Sequence, residues 1–508
     1  MIYTGDETPQ DNKTGPAPQN ARPGQGSAAS APPPPPSYEN HRAFPQVQPH
    51  PHPHPHVVAV NSALLVPGHG HGHTARRRFL RAFVVAGLIW LLLTLFLQSL
   101  RMTIRWSNHP GSIDSWYYSI PSEVHLKTCV HGGSWTPVPM PARLTDPNPL
   151  DLQLDQDQGE LYDYYQDAAE TFFELPLSSE TLFFLSRGDR LAGAIQVKTS
   201  ADQAPDSASV HILIRYRTHI IIERTKACLV KRNANENGVG LFGPVFRWGS
   251  PGSDYSTSFE ITVTLPEYSD SSPLNIKNFE TDVPNSRHEI ADLGGKVFFE
   301  SIALKGSNSR IKAESLSATT GDIHTSNGVI TGTFSTNDTL VLRTTNAAIT
   351  ADVNLRSEKA DSRPTLSAKT SNGAIVSNIN LISTLEHGQG GFFGVSADTS
   401  NAHLDIKFPK SPVDSTLNFK ASTSNERASV SLNPAYEGSF DLQTSSVFKT
   451  TVDEHRVEDP SGRNRKRQAR YRHSGKGVLV GDISWSPENA GRGRVAVSTS
   501  NAPVYVRV

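Results

Sequence analysis

The word Thr-Ser-Asn, or a near variant of it, recurs six times between residue 325 and residue 502, each time between two short runs of alternating apolar residues. The copies are Thr325-Ser326-Asn327-Gly328, Thr344-Thr345-Asn346-Ala347, Thr370-Ser371-Asn372-Gly373, Thr399-Ser400-Asn401-Ala402, Thr423-Ser424-Asn425-Glu426 and Thr499-Ser500-Asn501-Ala502. A degenerate earlier copy stands at Gly306-Ser307-Asn308-Ser309 and another at Thr444-Ser445-Ser446. One turn word repeated between β-type runs implies an array of similar units, not one irregular globule.

Each unit reads as strand, Ser/Thr-Asn corner, strand. Leu417 and Phe419 precede Asn425 with Val430 and Leu432 after it; Val495 and Val497 precede Asn501 with Val504 and Val506 after it. Asparagine tolerates left-handed backbone better than other residues with a side chain, and Gly or Ala beside it keeps the corner narrow. That is the expected role of Asn308, Asn327, Asn346, Asn372, Asn401, Asn425 and Asn501, and stacked corners would align their amides into hydrogen-bonded ladders. Turns about 19–29 residues apart suit the coils of a β-solenoid-like domain over 295–508. An antiparallel sandwich whose hairpins share a turn preference is the alternative. Residues 176–294 read as a β-rich domain without the repeat, with strand-like runs at Thr181–Leu185, Val210–Tyr216, Ile220–Val230 and Phe259–Leu265.

One segment sets the topology. Residues 80–102 contain the uncharged, overwhelmingly apolar run Ala82–Leu100. At 1.5 Å rise per residue this run covers roughly 28 Å, close to a bilayer's hydrocarbon core. The apolar stretch is too long and too far along the chain for a cleavable signal peptide. Arg76, Arg77, Arg78 and Arg81 precede it, against Arg101 and Arg105 just after, so the positive-inside bias places the tail in the cytosol. The expectation is a type II single-pass membrane protein of the plasma membrane or secretory pathway, its region after residue 102 extracellular or lumenal.

On that far side Cys129 and Cys228 are free to pair, closing a loop for which chain entropy gives about 4.7 kcal/mol; two separate buried thiols are the alternative. Asn337-Asp338-Thr339 is a glycosylation sequon at Asn337. Residues 103–175 form a juxtamembrane and acidic linker. Its Asp155-Gln156-Asp157-Gln158-Gly159 misplaces the glycine of a calcium loop and reads as a solvated segment. A basic loop is expected over 456–477, most simply solvated, with Lys466-Arg467 as a dibasic processing site.

Residues 1–75 are rich in Pro, Gly, Ser, Gln and His and have too little apolar periodicity to offset the entropy of ordering, so a disordered tail is expected. Within it Pro35-Pro36-Ser37-Tyr38 matches the P-P-x-Y ligand of WW domains, with Pro35, Pro36 and Tyr38 as contact residues pre-formed in polyproline II. His50, His52, His54 and His56 alternate with proline; imidazoles bind zinc, nickel or copper, yet no frame here fixes a geometry, and such tracts also serve as spacers. No metal site and no cofactor is assigned.

A net charge of −1, from 48 basic and 49 acidic residues, gives no pull toward nucleic acid. The chain has no G-x-S-x-G, no H-E-x-x-H, no P-loop and no dinucleotide glycine motif, so the reading is not an enzyme; a β-helix carbohydrate-active enzyme is the least favoured class. Favoured is a non-enzymatic surface, adhesion or recognition module whose far-side partner is a glycan or another protein. The alternative is a membrane adaptor or sorting protein whose P-P-x-Y recruits a WW-domain ubiquitin ligase.

The combination of tail, span and turns resembles a family of fungal, basidiomycete-type single-pass proteins whose ectodomain is a domain of unknown function. The residues that carry this resemblance are the six turns, the run Glu300–Leu304 leading to Ser307-Asn308, and Tyr436-Glu437-Gly438-Ser439-Phe440. Thr499-Ser500-Asn501-Ala502-Pro503 is nearest to that family's T-S-N-A-P word, and the likeness covers roughly residues 170–508. More distantly the repeats are similar to bacterial adhesin domains of β-solenoid type. Glu426 and Ser446 depart from the motif, which implies remodelled coils there.

Overall fold

The structure is a computed structural model that describes residues 118–139, 165–245, 256–268 and 272–508. The candidate span over 80–102, the WW ligand, the histidine tract and most of the acidic linker lie outside the described residues. Among the described residues no helix is long and apolar enough to cross a membrane. The described chain is mainly β, with twenty-seven strands joined in an open sheet.

Residues 365–383 show the plan of one coil. Thr365–Lys369 lies in a first ladder, Thr370-Ser371-Asn372-Gly373 turns the chain, and Ile375–Ser383 lies in a second ladder. Thr365–Lys369 pairs in parallel with residues 339–343 on one side and 394–398 on the other. Ile375–Ser383 likewise pairs in parallel with Ile349–Ser357 and with Leu404–Lys407. Parallel pairing of this kind runs through residues 297–431, which excludes the antiparallel sandwich there. Two long strands, Ile311–His324 and Ile330–Arg343, serve both ladders, the first half of each in the second ladder and the second half in the first.

Period-two alternation explains why these segments are strands: every second side chain enters the space between the ladders. In-register pairing then stacks like on like. Ile311, Ile330, Ile349, Ile375, Leu404, Ala428 and Val504 form one interior file, each 0% exposed. Fully burying such an aliphatic chain is worth about 1.5–3 kcal/mol. A single coil has no partner for its inner face, so the stack holds the coil in place.

Parallel pairing continues across residue 295, where the sequence suggested a boundary. Leu274–Asp282 pairs with Val297–Lys305 and with Thr181–Arg187, and Ser286–Asp292 pairs with residues 311–315 and 193–197. The β-rich region thus contributes coils of the same stack.

At both ends the order of coils in space departs from the order in sequence. Glu236–Phe242 and Thr257–Pro266 stack outside Thr181–Arg187 and Leu191–Ser200, although they follow them in the chain. Beyond them the pairing turns antiparallel: Lys226–Lys231 then His125–His131 on the first ladder, Ser207–Tyr216 then Asp167–Pro176 on the second. At the far end Gly493–Ser498 and Val504–Arg507 lie between the coil at 416–431 and the coil formed by Gly438–Gln443 and Thr450–Asp453. The hairpin Gln468–Gly475 and Val478–Ser484 closes the first ladder in antiparallel register. The expected basic loop over 456–477 is therefore irregular only to Arg467; its second half is the outer edge strand of the hairpin, and Val478–Ser484 is the strand laid against Gly438–Gln443.

Candidate functional site

The recurring word occupies one corner of every coil from 306 to 502, and each of its letters has a distinct task. The leading threonine is buried: Thr325 is 0% exposed and Thr370 2%. Its hydroxyl donates to carbonyls of the preceding turn, from Thr344 to Gly328 O at 3.1 Å and from Thr370 to Ala347 O at 3.0 Å. The carbonyl of the second residue accepts two amides of the next coil. Ser326 O takes the N–H groups of Thr345 and Asn346, and Ser371 O those of Ser400 and Asn401. At the fourth place Gly328 and Gly373 approach the preceding coil so closely that a Cβ would stand 1.9 and 1.8 Å from the carbonyl oxygens of Ser309 and Ala347.

The asparagines form a single exposed file. Each Nδ2 donates to the Oδ1 of the preceding corner: Asn308 to Asn285 at 2.8 Å, Asn327 to Asn308 at 2.7 Å, Asn346 to Asn327 at 2.6 Å and Asn372 to Asn346 at 2.7 Å. The file continues from Asn401 to Asn372 at 2.6 Å, Asn425 to Asn401 at 2.7 Å and Asn501 to Asn425 at 2.9 Å. Chained amides polarise one another, which strengthens each bond. None of these asparagines has a positive φ; among the described residues the non-glycine ones that do are Arg190, His387, Asp414 and Asn464. Left-handed backbone is thus not why asparagine stands there. The side-chain amide, donor at one end and acceptor at the other, is the reason.

Asn285 was not among the expected corners. It sits in Val283-Pro284-Asn285-Ser286, without the Thr-Ser lead, yet Pro284 O accepts the N–H groups of Ser307 and Asn308 as a corner carbonyl should. Its spacing of 23 residues before Asn308 was the available signal. Glu426 sits in a regular corner, where Ser424 and Asn425 both donate to Ser400 O. Ser446 belongs to the outermost coil, so the asparagine file ends where the stack ends.

Cys129 and Cys228 are bonded to each other across paired strands, with Cα atoms 4.0 Å apart. Asn337 lies where its strand passes between the two ladders, and its Nδ2 donates to Glu358 at 3.1 Å. Lys466 is exposed, whereas the guanidinium groups of Arg465 and Arg467 both lie 5.9 Å from the Trp485 ring. Arg467 also donates to His455 O at 2.9 Å, and Arg465 grips Asp459, holding that carboxyl well below the ordinary range.

Two buried polar groups stand outside the site residues expected from the sequence, although Glu437 lies in the Tyr436–Phe440 run. His288 stands between Ile195 and Ile311 in the aliphatic file, 0% exposed, with Nε2 2.8 Å from Thr281 Oγ1. Burial pushes its imidazole down to about 4. Glu437 is 2% exposed and accepts from Trp485 N at 2.7 Å, Ser486 N at 3.2 Å and Asn489 Nδ2 at 3.0 Å. It thereby ties the end coil to the segment that returns to the inserted strands. Among the described residues no group of three or more His, Cys, Asp or Glu could hold a metal ion.

No protein-family model matches this chain, and no curated protein matches it. Among solved structures, it is similar to a putative cell adhesion protein from Clostridium sporogenes at 9% identity. That match covers 67% of this chain and 99% of the other, with a TM-score of 0.15. A putative adhesin from Bacteroides fragilis matches at 9% identity over 66% of this chain and 96% of that one, with a TM-score of 0.23.

Proposed function

We propose that this chain is a non-enzymatic surface or adhesion module, a β-solenoid-like ectodomain held beyond a membrane by the span at 80–102. The asparagine file carries this reading. Each amide gives one N–H and one oxygen lone pair to its neighbours, and the threonine hydroxyls bond to neighbouring carbonyls, so the corner is a spine that holds the coils in register. The work then falls to the outward faces of the strands, rich in Ser, Thr and Asn, and to the clefts between coils. The compartment in this reading rests on the apolar run at 82–100 and the arginines that precede it.

The test is access from outside. Val508 is 5% exposed and its N–H donates to Asp453 O at 3.0 Å, so a tag joined there would strain the stack. The loop at Glu386-His387 suits better, with side chains 91% and 77% exposed. Cells displaying a tag in that loop should bind an added antibody without permeabilisation and lose the signal to added protease. A tag protected in intact cells and revealed only by detergent overturns the surface reading.

A further inference from the structure

The corner opposite the asparagine file carries a cleft of about 260 Å³. Four successive passes of the chain line it, contributing Phe298, Ser317, Ser335 and Asn337, and Arg356 with Glu358. Ser317 and Ser335 are in-register neighbours on adjoining strands. The Phe298 ring is half-buried, and Arg356 lies 3.5 Å from Glu358.

Asn337 decides what such a cleft can hold. Its Nδ2 donates to Glu358 Oε2 at 3.1 Å, which fixes the amide's orientation, because the reverse would set two oxygens against each other. Its Oδ1 is then a buried acceptor with no donor. Being buried, it meets a donor only when the amide shifts toward the cleft, and the cost of an unpaired buried acceptor, about 1–3 kcal/mol, favours that shift once an O–H or N–H enters. An anion cannot donate and would face the Glu358 carboxylate. A cation would face Arg356. A hydroxyl satisfies both sides, donating to Asn337 and accepting from the guanidinium. An aromatic ring beside a few convergent polar groups is the usual construction of a small-ligand site, and the volume sits just under the roughly 300 Å³ lower end of such sites.

We propose that this cleft binds a neutral saccharide of one or two rings, with Phe298 against the apolar face of a ring, Asn337 Oδ1 accepting from a hydroxyl and Arg356 donating to a ring oxygen or hydroxyl. The proposal rests on the recognition-module reading and names its ligand class. It also gives Asn337 a role other than glycan attachment, since an attached glycan would fill the cleft it borders.

The full chain, purified in detergent, is titrated with maltose, lactose, mannobiose and chitobiose by calorimetry, with inorganic phosphate as the anionic probe. At least one disaccharide should bind, and Phe298→Ala and Asn337→Ala should each weaken it tenfold or more with unchanged circular dichroism. Thr339→Ala destroys the sequon but keeps the amide and should bind as the parent does. Arg356→Gln supplies a second reading of the polar side, with the same expected loss, should Asn337→Ala fold poorly. Binding of none of the four sugars, unchanged binding by Asn337→Ala, competition by phosphate, or a glycan on Asn337 by mass spectrometry would each overturn the proposal. Loop-tag access on intact cells separates the two readings. A surface tag with no sugar binding sinks the cleft alone; a protected tag with sugar binding sinks the surface reading alone.

Discussion

Removing one amide from the middle of the asparagine file should cost twice as much as removing one from its end. Asn372→Ala loses two bonds, the one donated to Asn346 at 2.7 Å and the one accepted from Asn401 at 2.6 Å. Asn501→Ala loses one, to Asn425 at 2.9 Å. At about 1 kcal/mol net for each bond, the losses are about 2 and about 1 kcal/mol. Asn346→Ala also loses two, its bonds to Asn327 and from Asn372. The double variant with Asn372→Ala shares one bond between its sites, so it should fall short of additivity by about 1 kcal/mol. Because long repeat arrays open in parts, the assay is hydrogen exchange of the corner peptides under native conditions, read beside urea midpoints of the full chain. Equal losses for Asn372→Ala and Asn501→Ala, or strict additivity in the double variant, would refute the ladder as an energetic unit.

Four further outcomes follow from particular groups. His288 has its imidazole pushed down to about 4 from an ordinary 6.5, so its contribution is fully present above about pH 6.5 and is lost as pH falls toward 4. The loss is about 3 kcal/mol in urea midpoints, and His288→Leu should flatten that part of the profile. Reducing Cys129–Cys228 should lower stability by about 2–5 kcal/mol and raise exchange first in His125–His131 and Lys226–Lys231, the strands it joins. Glu437→Gln should cost about 1–3 kcal/mol, because the amide nitrogen that replaces one carboxylate oxygen cannot accept from Asn489, and should shift the fluorescence of Trp485, whose backbone N–H donates to Glu437. In cells, Tyr38→Ala should lengthen the protein's half-life if the tail recruits a ubiquitin ligase; an unchanged half-life removes that reading.

The repeated corners were legible because each coil spends the same three residues on the same bonds. Thr370, Ser371 and Asn372 do for their coil what Thr344, Thr345 and Asn346 do for the one before. Asn285 escaped because proline replaces the Thr-Ser lead there while the backbone carbonyl performs the same task. His288 escaped because its alternation matches that of any core residue; only its neighbours Ile195 and Ile311, far away in sequence, mark it as out of place. The cleft at the opposite corner was illegible for a related reason. Phe298, Ser335 and Arg356 fall in three strands with no common word, and parallel register alone brings them together. Asparagine's tolerance of left-handed backbone does not account for these corners, since the same residue type also suits an amide ladder.

The order of the coils at the far end has a consequence for how the stack closes. Asn501 donates to Asn425 across 76 residues, so the inserted coil at 493–507 completes the file and both ladders at once. Until it arrives, the coil at 438–453 has no parallel partner in place. Gly438–Gln443 and Thr450–Asp453 both pair with the inserted strands and not with the coil that precedes them in sequence. Closing so long a loop costs little more than closing a short one, because that entropy grows only with the logarithm of length. What it costs is time, since non-local pairing is slow. The arrangement leaves the outermost coil bound on one side by strands from later in the chain and on the other, in the first ladder, by the antiparallel hairpin. A stack that grew strictly in sequence order would present a bare parallel edge open to another chain. Here the first ladder ends in the antiparallel strand Gln468–Gly475, whose exposed Arg470 and Arg472 discourage addition, and the second ends in the four residues of Thr450–Asp453, too short an edge to template a long addition.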